Sequence, residues 1–151
     1  GLTFVGGAGD VSVKADIVDG TQTVASGAIG EKNRAAAWNS GSAEAVASFY
    51  AADGQIVINR GEPWVGRKGI GEMAAGFFAD VPDLRLKCDA VRCAGSHVAY
   101  FWTFTGTHAA TKNPLRVAGW EEWDLDADLK VVASRGWYDA ADYERQTAAR
   151  R

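Results

Sequence analysis

The apolar residues of this chain change their spacing at Pro82, and this change limits the folds that the chain can adopt. In the segment just before Pro82 they recur at helical intervals, as in the stripe of Ile70, Ala74 and Phe77. After it, apolar and polar residues alternate over 84–90, which is the period of a half-buried strand. Helices followed by a run of strands predict an α+β domain.

The predicted elements follow this change of period. Helices are expected at 28–39, from an N-cap at Ser42 through Tyr50, at 66–80 and at 140–149. Strands are expected at 55–60, 84–90, 97–107, 115–125 and 130–138. Because the long strands follow one another directly, we expect antiparallel hairpins in a curved sheet with the helices packed on one face.

The strand predicted at 97–107 is apolar on both faces. Val98 and Tyr100 lie on one side, and Ala99 and Phe101 on the other. A strand of this kind needs cover on both sides, and helices supply only one. We therefore expect a second copy of the chain on the other face, in a homodimer.

Residues 1–25 differ from the rest of the chain. They are glycine-rich and contain no Trp, and Val11, Val13, Ala15 and Ile17 alternate with polar neighbours. The dipeptide at 19–20, Asp-Gly, is a hairpin turn signal. We interpret 1–25 as an N-terminal arm outside the core and 26–151 as the α+β domain.

Composition excludes several classes of partner. A net charge of -3 disfavours a nucleic-acid partner, and no apolar stretch has the length of a membrane-spanning helix. Cys88 and Cys93 are separated by an odd number of positions, which in one regular strand places them on opposite faces, so we expect two reduced thiols and a cytoplasmic, soluble protein. His97 and His108 have no acidic or cysteine pattern near them, so neither a metal nor another cofactor is expected.

Five short strings resemble, in the same order, those of the SnoaL-like polyketide cyclases and their relatives, the ketosteroid isomerases and limonene epoxide hydrolases. They are WNSGSAEA at 38–45, FYAADG at 49–54, WVGRKGI at 64–70, FWTFTGTH at 101–108 and GWYD at 136–139. The resemblance implies the cone-shaped, nuclear transport factor 2-like (cystatin-like) fold, whose mouth holds a small apolar ligand. It does not imply one reaction, because this scaffold hosts isomerases, cyclases, hydrolases and non-catalytic modules.

The chain departs from these relatives at their catalytic positions. The hydrolases' Asp-Arg-Asp trio and Tyr fall on Trp102, Phe104, Gly136 and Val57. Of that set only an Asn is matched, by Asn59. The isomerase base falls near Ile58 or Asn59, and the final-strand acid of the cyclases falls near Gly136. The hydrolase chemistry is therefore not expected here.

Glu121 is the candidate acid or base. It alternates with Glu122, so the two side chains point to opposite faces, and the Glu121 face carries Gly119 and Trp123. The resemblance aligns Glu121 with the buried, proton-carrying Asp of the isomerases, where a desolvated carboxyl group can donate or exchange a proton. The alternative is that Glu121 pairs with an Arg or lies at a dimer contact. Asn59 is the second candidate: it orients a ligand or water, or it bonds local backbone.

Aromatic side chains are the candidate pocket wall, and they are core residues by default. The expected lining residues are Trp64, Phe77, Trp102, Phe104, Trp123, Tyr138 and, at the rim, His108. Asp139 precedes a helix and is interpreted as its N-cap. Two functions remain open: a cofactor-free lyase, isomerase or cyclase that transfers a proton, or a non-catalytic ligand-binding or dimerisation module of the same fold.

Overall fold

The computed structural model describes residues 2–4, 13–15 and 31–149, with side chains from Arg34 onward. The helices of this part are α1 (Glu31–Asn39), α2 (Ala43–Ala47), α3 (Gly66–Asp80) and α4 (Ala140–Thr147). The first strands are β1 (Leu2–Phe4), β2 (Val13–Ala15), β3 (Tyr50–Ile58) and β4 (Trp64–Val65). The long strands that follow are β5 (Arg85–Ala94), β6 (His97–Thr107), β7 (Pro114–Leu125) and β8 (Val131–Tyr138).

Strands β3 to β8 form one curved, unclosed sheet in the order β4-β3-β8-β7-β6-β5. All neighbours are antiparallel except β3 and β8, which run parallel. The β6–β7 hairpin is paired along its whole length, from His97 opposite Asp124 to Thr107 opposite Pro114. The predicted α+β class, with a curved and mainly antiparallel sheet, is confirmed.

One face of the sheet packs against the helices and forms the core. Val98, Tyr100 and Trp123 from β6 and β7 are fully buried there, in one cluster with Ile70 and Met73 of α3. The rings of Tyr100 and Trp123 stack with their centroids 4.9 Å apart. Because Glu121 is paired with Tyr100 across the hairpin, its side chain lies on this same inner face.

The bounds of α3 and β6 agree with the sequence prediction, but β3 begins earlier than expected. The helix capped by Ser42 ends at Ala47, and Tyr50, expected in that helix, begins the strand. Tyr50 pairs with Val131 of β8 and is fully buried. Pairing with β8 and burial of the tyrosine ring therefore outweigh the local helical preference of the segment.

The two cysteines share a face, which corrects the expectation of opposite faces. Cys88 is paired with Trp102 and Cys93 with Val98, four positions apart on β6. The pairing shifts between Cys88 and Ala90, where β5 contains an extra residue. This bulge reverses the alternation for the rest of the strand. Neither cysteine forms a disulfide.

At the N-terminal end, β1 and β2 pair antiparallel, with Leu2 opposite Ala15, and lie next to β5. The expected turn at 19–20 and residues 28–30 of the first predicted helix lie outside the described residues. Within the described ranges, no helix has the length and apolar character needed to cross a bilayer.

Candidate functional site

A half-open pocket lies between the inner face of the sheet and helices α1 and α3, and its volume is about 60 Å³. Among the described residues, its walls are aromatic and aliphatic, with one carboxyl group. The lining residues are Trp38, Ile56, Ile58, Met73, Phe77, Leu84, Leu86, Trp102, Phe104, Glu121, Gly136, Trp137 and Tyr138. This composition is typical of sites that hold small organic molecules.

Phe77 of α3 is the centre of the aromatic wall. Its ring makes edge contacts with Trp38, Phe104 and Tyr138, at centroid distances of 6.2, 6.4 and 6.4 Å. Trp102 continues the wall by stacking on Phe104 at 5.8 Å. Helix α1, helix α3 and strands β6 and β8 thus contribute rings to one continuous surface.

The position of Trp102 depends on Gly119 of the neighbouring strand. The two residues are direct partners across the β6–β7 hairpin. A Cβ atom at Gly119 would lie 2.5 Å from Cζ2 of Trp102, so the indole ring lies flat over the space that a side chain would take. The glycine therefore allows the ring to lie along the sheet and border the pocket.

Glu121 is the charged side chain among the described residues that line the pocket. It lies opposite Gly136 of β8, and its side chain is 10% exposed. A Cβ atom at Gly136 would lie 3.3 Å from Cγ of Glu121. The absence of a side chain at Gly136, where the cyclases carry an acid, therefore leaves room for Glu121 beside the pocket.

Glu121 is held by an ion pair and a hydrogen bond. Nη2 of Arg34 donates to both carboxylate oxygens, at 3.3 and 3.4 Å, and Oγ of Ser134 donates to Oε1 at 3.2 Å. The same Nη2 donates to the hydroxyl oxygen of Tyr50 at 3.0 Å. The structure thus shows the arginine pairing that the sequence analysis left open as the alternative for Glu121.

Arg34 lies deeper in the interior than Glu121, and its side chain is 1% exposed. Its guanidinium carbon lies 4.9 Å from the ring centroid of Trp123 and 5.2 Å from that of Tyr50. Desolvation by burial lowers the pKa of Arg34, but the electrostatic effects of Tyr50 and Glu121 outweigh it and raise the pKa above its usual value. Arg34 is therefore cationic at neutral pH. Its Nε and Nη1 have no hydrogen-bond partner among the described residues.

Arg34, the partner of Glu121, is a residue of the candidate site that sequence reasoning missed. The signal was its position: Arg34, Ala37 and Trp38 follow one another at the i, i+3, i+4 spacing of one helical stripe, and Ala37 is buried. An arginine on the apolar stripe of a helix needs a buried partner. Trp38 lies on the same stripe of α1 and was also missed, although this spacing directs it toward the sheet.

Five of the predicted site residues border the pocket: Glu121, Phe77, Trp102, Phe104 and Tyr138. The structure places the other four elsewhere. Trp64 is 40% exposed on β4, the edge strand. Trp123 is on the inner face but is fully buried beneath Arg34. Neither is among the lining residues.

His108 and Asn59 are engaged locally. Nδ1 of His108 lies 2.9 Å from Oγ1 of Thr111 in the connection after β6. The side-chain oxygen of Asn59 accepts a hydrogen bond from the backbone N–H of Tyr138 at 3.0 Å. Asn59 therefore bonds backbone, as one alternative expected, but the backbone of a residue 79 positions away in the sequence. Elsewhere in the described ranges, no three His, Cys, Asp or Glu side chains are grouped to hold a metal ion.

Solved structures with the same fold are similar to this chain at low identity. A protein with a ketosteroid isomerase-like fold from Catenulispora acidiphila DSM 44928, in complex with trimethylamine, is 21% identical with a TM-score of 0.71 over 78% of this chain and 91% of that one. A SnoaL-like polyketide cyclase, so described, from Jannaschia sp. CCS1 is 12% identical with a TM-score of 0.74 over 91% and 99%. An epoxide hydrolase/cyclase-like enzyme of pyran ring formation in the polyether salinomycin is 14% identical with a TM-score of 0.62 over 70% and 84%.

These structures share the fold, and no curated protein matches the sequence. The family of SnoaL-like domains matches residues 33–134, from α1 to the middle of β8. This range contains Arg34, the aromatic wall as far as Phe104, and Glu121. The chain therefore belongs to the family of SnoaL-like domains.

Proposed function

We propose that this chain binds a small, mostly apolar molecule in the pocket, with Glu121 as its polar contact. The observation that carries the proposal is the combination of a continuous aromatic wall with one carboxylate at its edge. Pockets of this kind hold a ligand by burial of apolar area and orient it with few polar groups. The trimethylamine complex of the Catenulispora protein supports a small ligand for this fold.

Glu121 has a free acceptor position for such a ligand. Each carboxylate oxygen accepts about two hydrogen bonds. Oε1 accepts from Arg34 and Ser134, whereas Oε2 accepts from Arg34 alone among the described residues. The second acceptor position of Oε2 is therefore available to a donor in the pocket.

Proton transfer is the second candidate function, in a cofactor-free isomerase, cyclase or lyase. The free acceptor position of Oε2 in an apolar pocket favours it. In this candidate function Glu121 is the base, and its role is to take a proton from the substrate. That proton then returns to another atom of the substrate. The ion pair also gives Glu121 a structural role, so we place binding first.

Binding is tested with two matched substitutions on β3. Ile58→Phe replaces an aliphatic side chain of the pocket with a larger aromatic ring. Val57→Phe makes the same type of change on the opposite face of the strand. We expect titration with small apolar probes, from tert-butanol to toluene, to shift the indole N–H signals of Trp38 and Trp102 but not that of the exposed Trp64. Ile58→Phe should abolish the shifts, and Val57→Phe should keep them.

Equal shifts in the two variants, or none in the unchanged protein, would exclude the pocket as the binding site.

Proton transfer has a separate test in deuterium oxide. The protein should accelerate exchange of the α-protons of small cyclic ketones, and both Glu121→Gln and Ile58→Phe should remove the acceleration. Binding without exchange would leave a ligand-binding module.

A further inference from the structure

The Arg34–Glu121 ion pair presents its negative end to the pocket. Glu121 is among the lining residues and its side chain is 10% exposed, whereas Arg34 is not among them and is 1% exposed. The guanidinium carbon of Arg34 lies over the rings of Trp123 and Tyr50, neither of which lines the pocket. A ligand in the pocket therefore meets the carboxylate before it meets the cation.

The aromatic wall has the same electrostatic sign. The faces of aromatic rings carry partial negative charge and attract cations, most strongly when the cation is desolvated. Trp38, Phe77, Trp102 and Phe104 supply such rings around the cavity. The interior already holds one cation in this way, since Arg34 lies over two rings.

The number of free acceptors limits the kind of cation. Among the described residues that line the pocket, Glu121 is the charged acceptor, and Oε2 has one free position. A tertiary ammonium has one N–H and fits this position, whereas a primary ammonium has three, of which two would lose their hydrogen bonds to water.

We propose that the pocket selects a small protonated tertiary amine, such as a dimethylammonium group on a short chain. Its N–H donates to Oε2 of Glu121 and its methyl groups lie against Trp102, Phe104 and Phe77. This inference rests on the proposed binding function and names the ligand class of the same pocket. It also means that anions are rejected, since the carboxylate would repel them.

The test is an isosteric series measured by calorimetry at pH 7 with the unchanged protein. Dimethylethanolamine is protonated at this pH, and 3-methylbutan-1-ol has the same shape without charge. Ethanolamine has three N–H groups, and 3-methylbutanoate is the anion of the same shape. We expect dimethylethanolamine to bind at least tenfold more tightly than each of the other three.

Two variants assign the preference to the site. Glu121→Gln should reduce the preference for the amine over the alcohol to near one. Trp102→Leu, which keeps the carboxylate, should weaken amine binding severalfold. Because Glu121→Gln is expected to be less stable, the series with the unchanged protein decides the question alone.

Equal or tighter binding of the alcohol or the anion would overturn the inference and leave the proposed binding function standing. The same conclusion follows if none of the four compounds binds while toluene still shifts the indole signals of Trp38 and Trp102. If no probe of either set binds, both proposals fail.

Discussion

Arg34 and Glu121 form one ion pair but differ in their access to water, and this difference determines what each contributes to stability. Arg34 is enclosed between two rings, whereas Glu121 borders a half-open pocket. Removing one partner of a buried pair leaves the other as an uncompensated charge. The cost should therefore be larger when the enclosed cation is the one left behind.

We predict that Glu121→Gln lowers the free energy of unfolding by about 3–5 kcal/mol, the typical cost of breaking a buried pair. Arg34→Met should cost less, because water in the pocket can solvate the remaining carboxylate. Ser134→Ala is the control, since it removes one hydrogen bond to Glu121 and should cost about 1 kcal/mol. Urea unfolding at pH 7 measures all three. A larger loss in Arg34→Met would contradict the difference in solvation.

Cys93 gives a prediction for alkaline pH. Burial raises the pKa of its thiol to about 11. The folded protein therefore keeps a proton on this thiol that the unfolded chain releases near pH 9, so the contribution of Cys93 to stability is present below pH 9 and is lost as the pH rises to about 11. Cys93→Val should show a shallower fall in unfolding free energy over this interval.

Thiol labelling gives an independent check of the same cysteine. At pH 8 the half-buried Cys88 should react with a disulfide reagent before the buried Cys93, and Cys93 should react only on unfolding. Equal rates for the two cysteines in the folded protein would show that Cys93 is accessible.

At the scale of elements, α4 depends on its caps more than on buried area. None of its residues is fully buried. At its N-terminus, the Asp139 carboxylate accepts a hydrogen bond from the backbone N–H of Asp142 at 2.9 Å, which confirms the predicted cap. At its C-terminus, the side chain of Asn113 donates to the carbonyl oxygens of Gln146 and Ala148. The ring of Tyr143 in α4 contacts the pocket wall.

We predict that Asp139→Ala lowers the free energy of unfolding by about 1 kcal/mol, because the first turn of α4 loses its cap. Asp139→Asn keeps an accepting oxygen and should cost only a fraction of that, which makes it the matched control. Thermal unfolding followed by circular dichroism distinguishes the two variants. Equal losses would show that charge, rather than the cap hydrogen bond, accounts for the effect.

At the scale of the whole molecule, the outer face of the sheet carries a strip of stacked rings. Phe101 stacks on Trp120 with centroids 6.2 Å apart, and Trp120 stacks on Trp137 at 4.4 Å. The three rings cross β6, β7 and β8 and remain partly exposed. We propose that a second copy of the chain covers this strip in a homodimer, as the apolar outer face of β6 led us to expect.

The dimer is tested by light scattering at micromolar concentration, where we expect twice the chain mass of 16.0 kDa. Trp120→Glu should shift the particle to the monomer mass. Trp64→Glu is the control, because Trp64 is exposed at the edge strand outside the strip. A monomer mass for the unchanged protein would refute the proposal.

The division into an arm at 1–25 and a domain at 26–151 stays a proposal, which the family match at 33–134 supports. We predict that deletion of residues 1–25 shifts the unfolding midpoint by no more than a few degrees, because these residues contribute no Trp to the core. Strands β1 and β2 lie within the deleted segment, pair with each other and lie next to β5. If these contacts with β5 stabilise the domain, the deletion destabilises it. An insoluble product, or one without cooperative unfolding, would show that the arm belongs to the core.

The sequence by itself determined the class of fold, the family and the bounds of α3 and β6. Each of these depends on patterns within a few residues, such as the change of period at Pro82. Alternation along β7 also separated Glu121 from Glu122 and placed Glu121 on the inner face. Local spacing is sufficient for these predictions because it decides on which face of a helix or strand a side chain lies.

Only the tertiary structure decided what those side chains meet. Alternation places Trp102 and Trp123 on the same face of the sheet. The packing of α1 and α3 on that face leaves Trp102 at the pocket but buries Trp123 completely. One extra residue in β5 moved Cys93 to the inner face. The partner of Glu121 lies 87 residues away on a helix. Depth below the surface and partners far apart in sequence depend on how the elements pack, which no local pattern records.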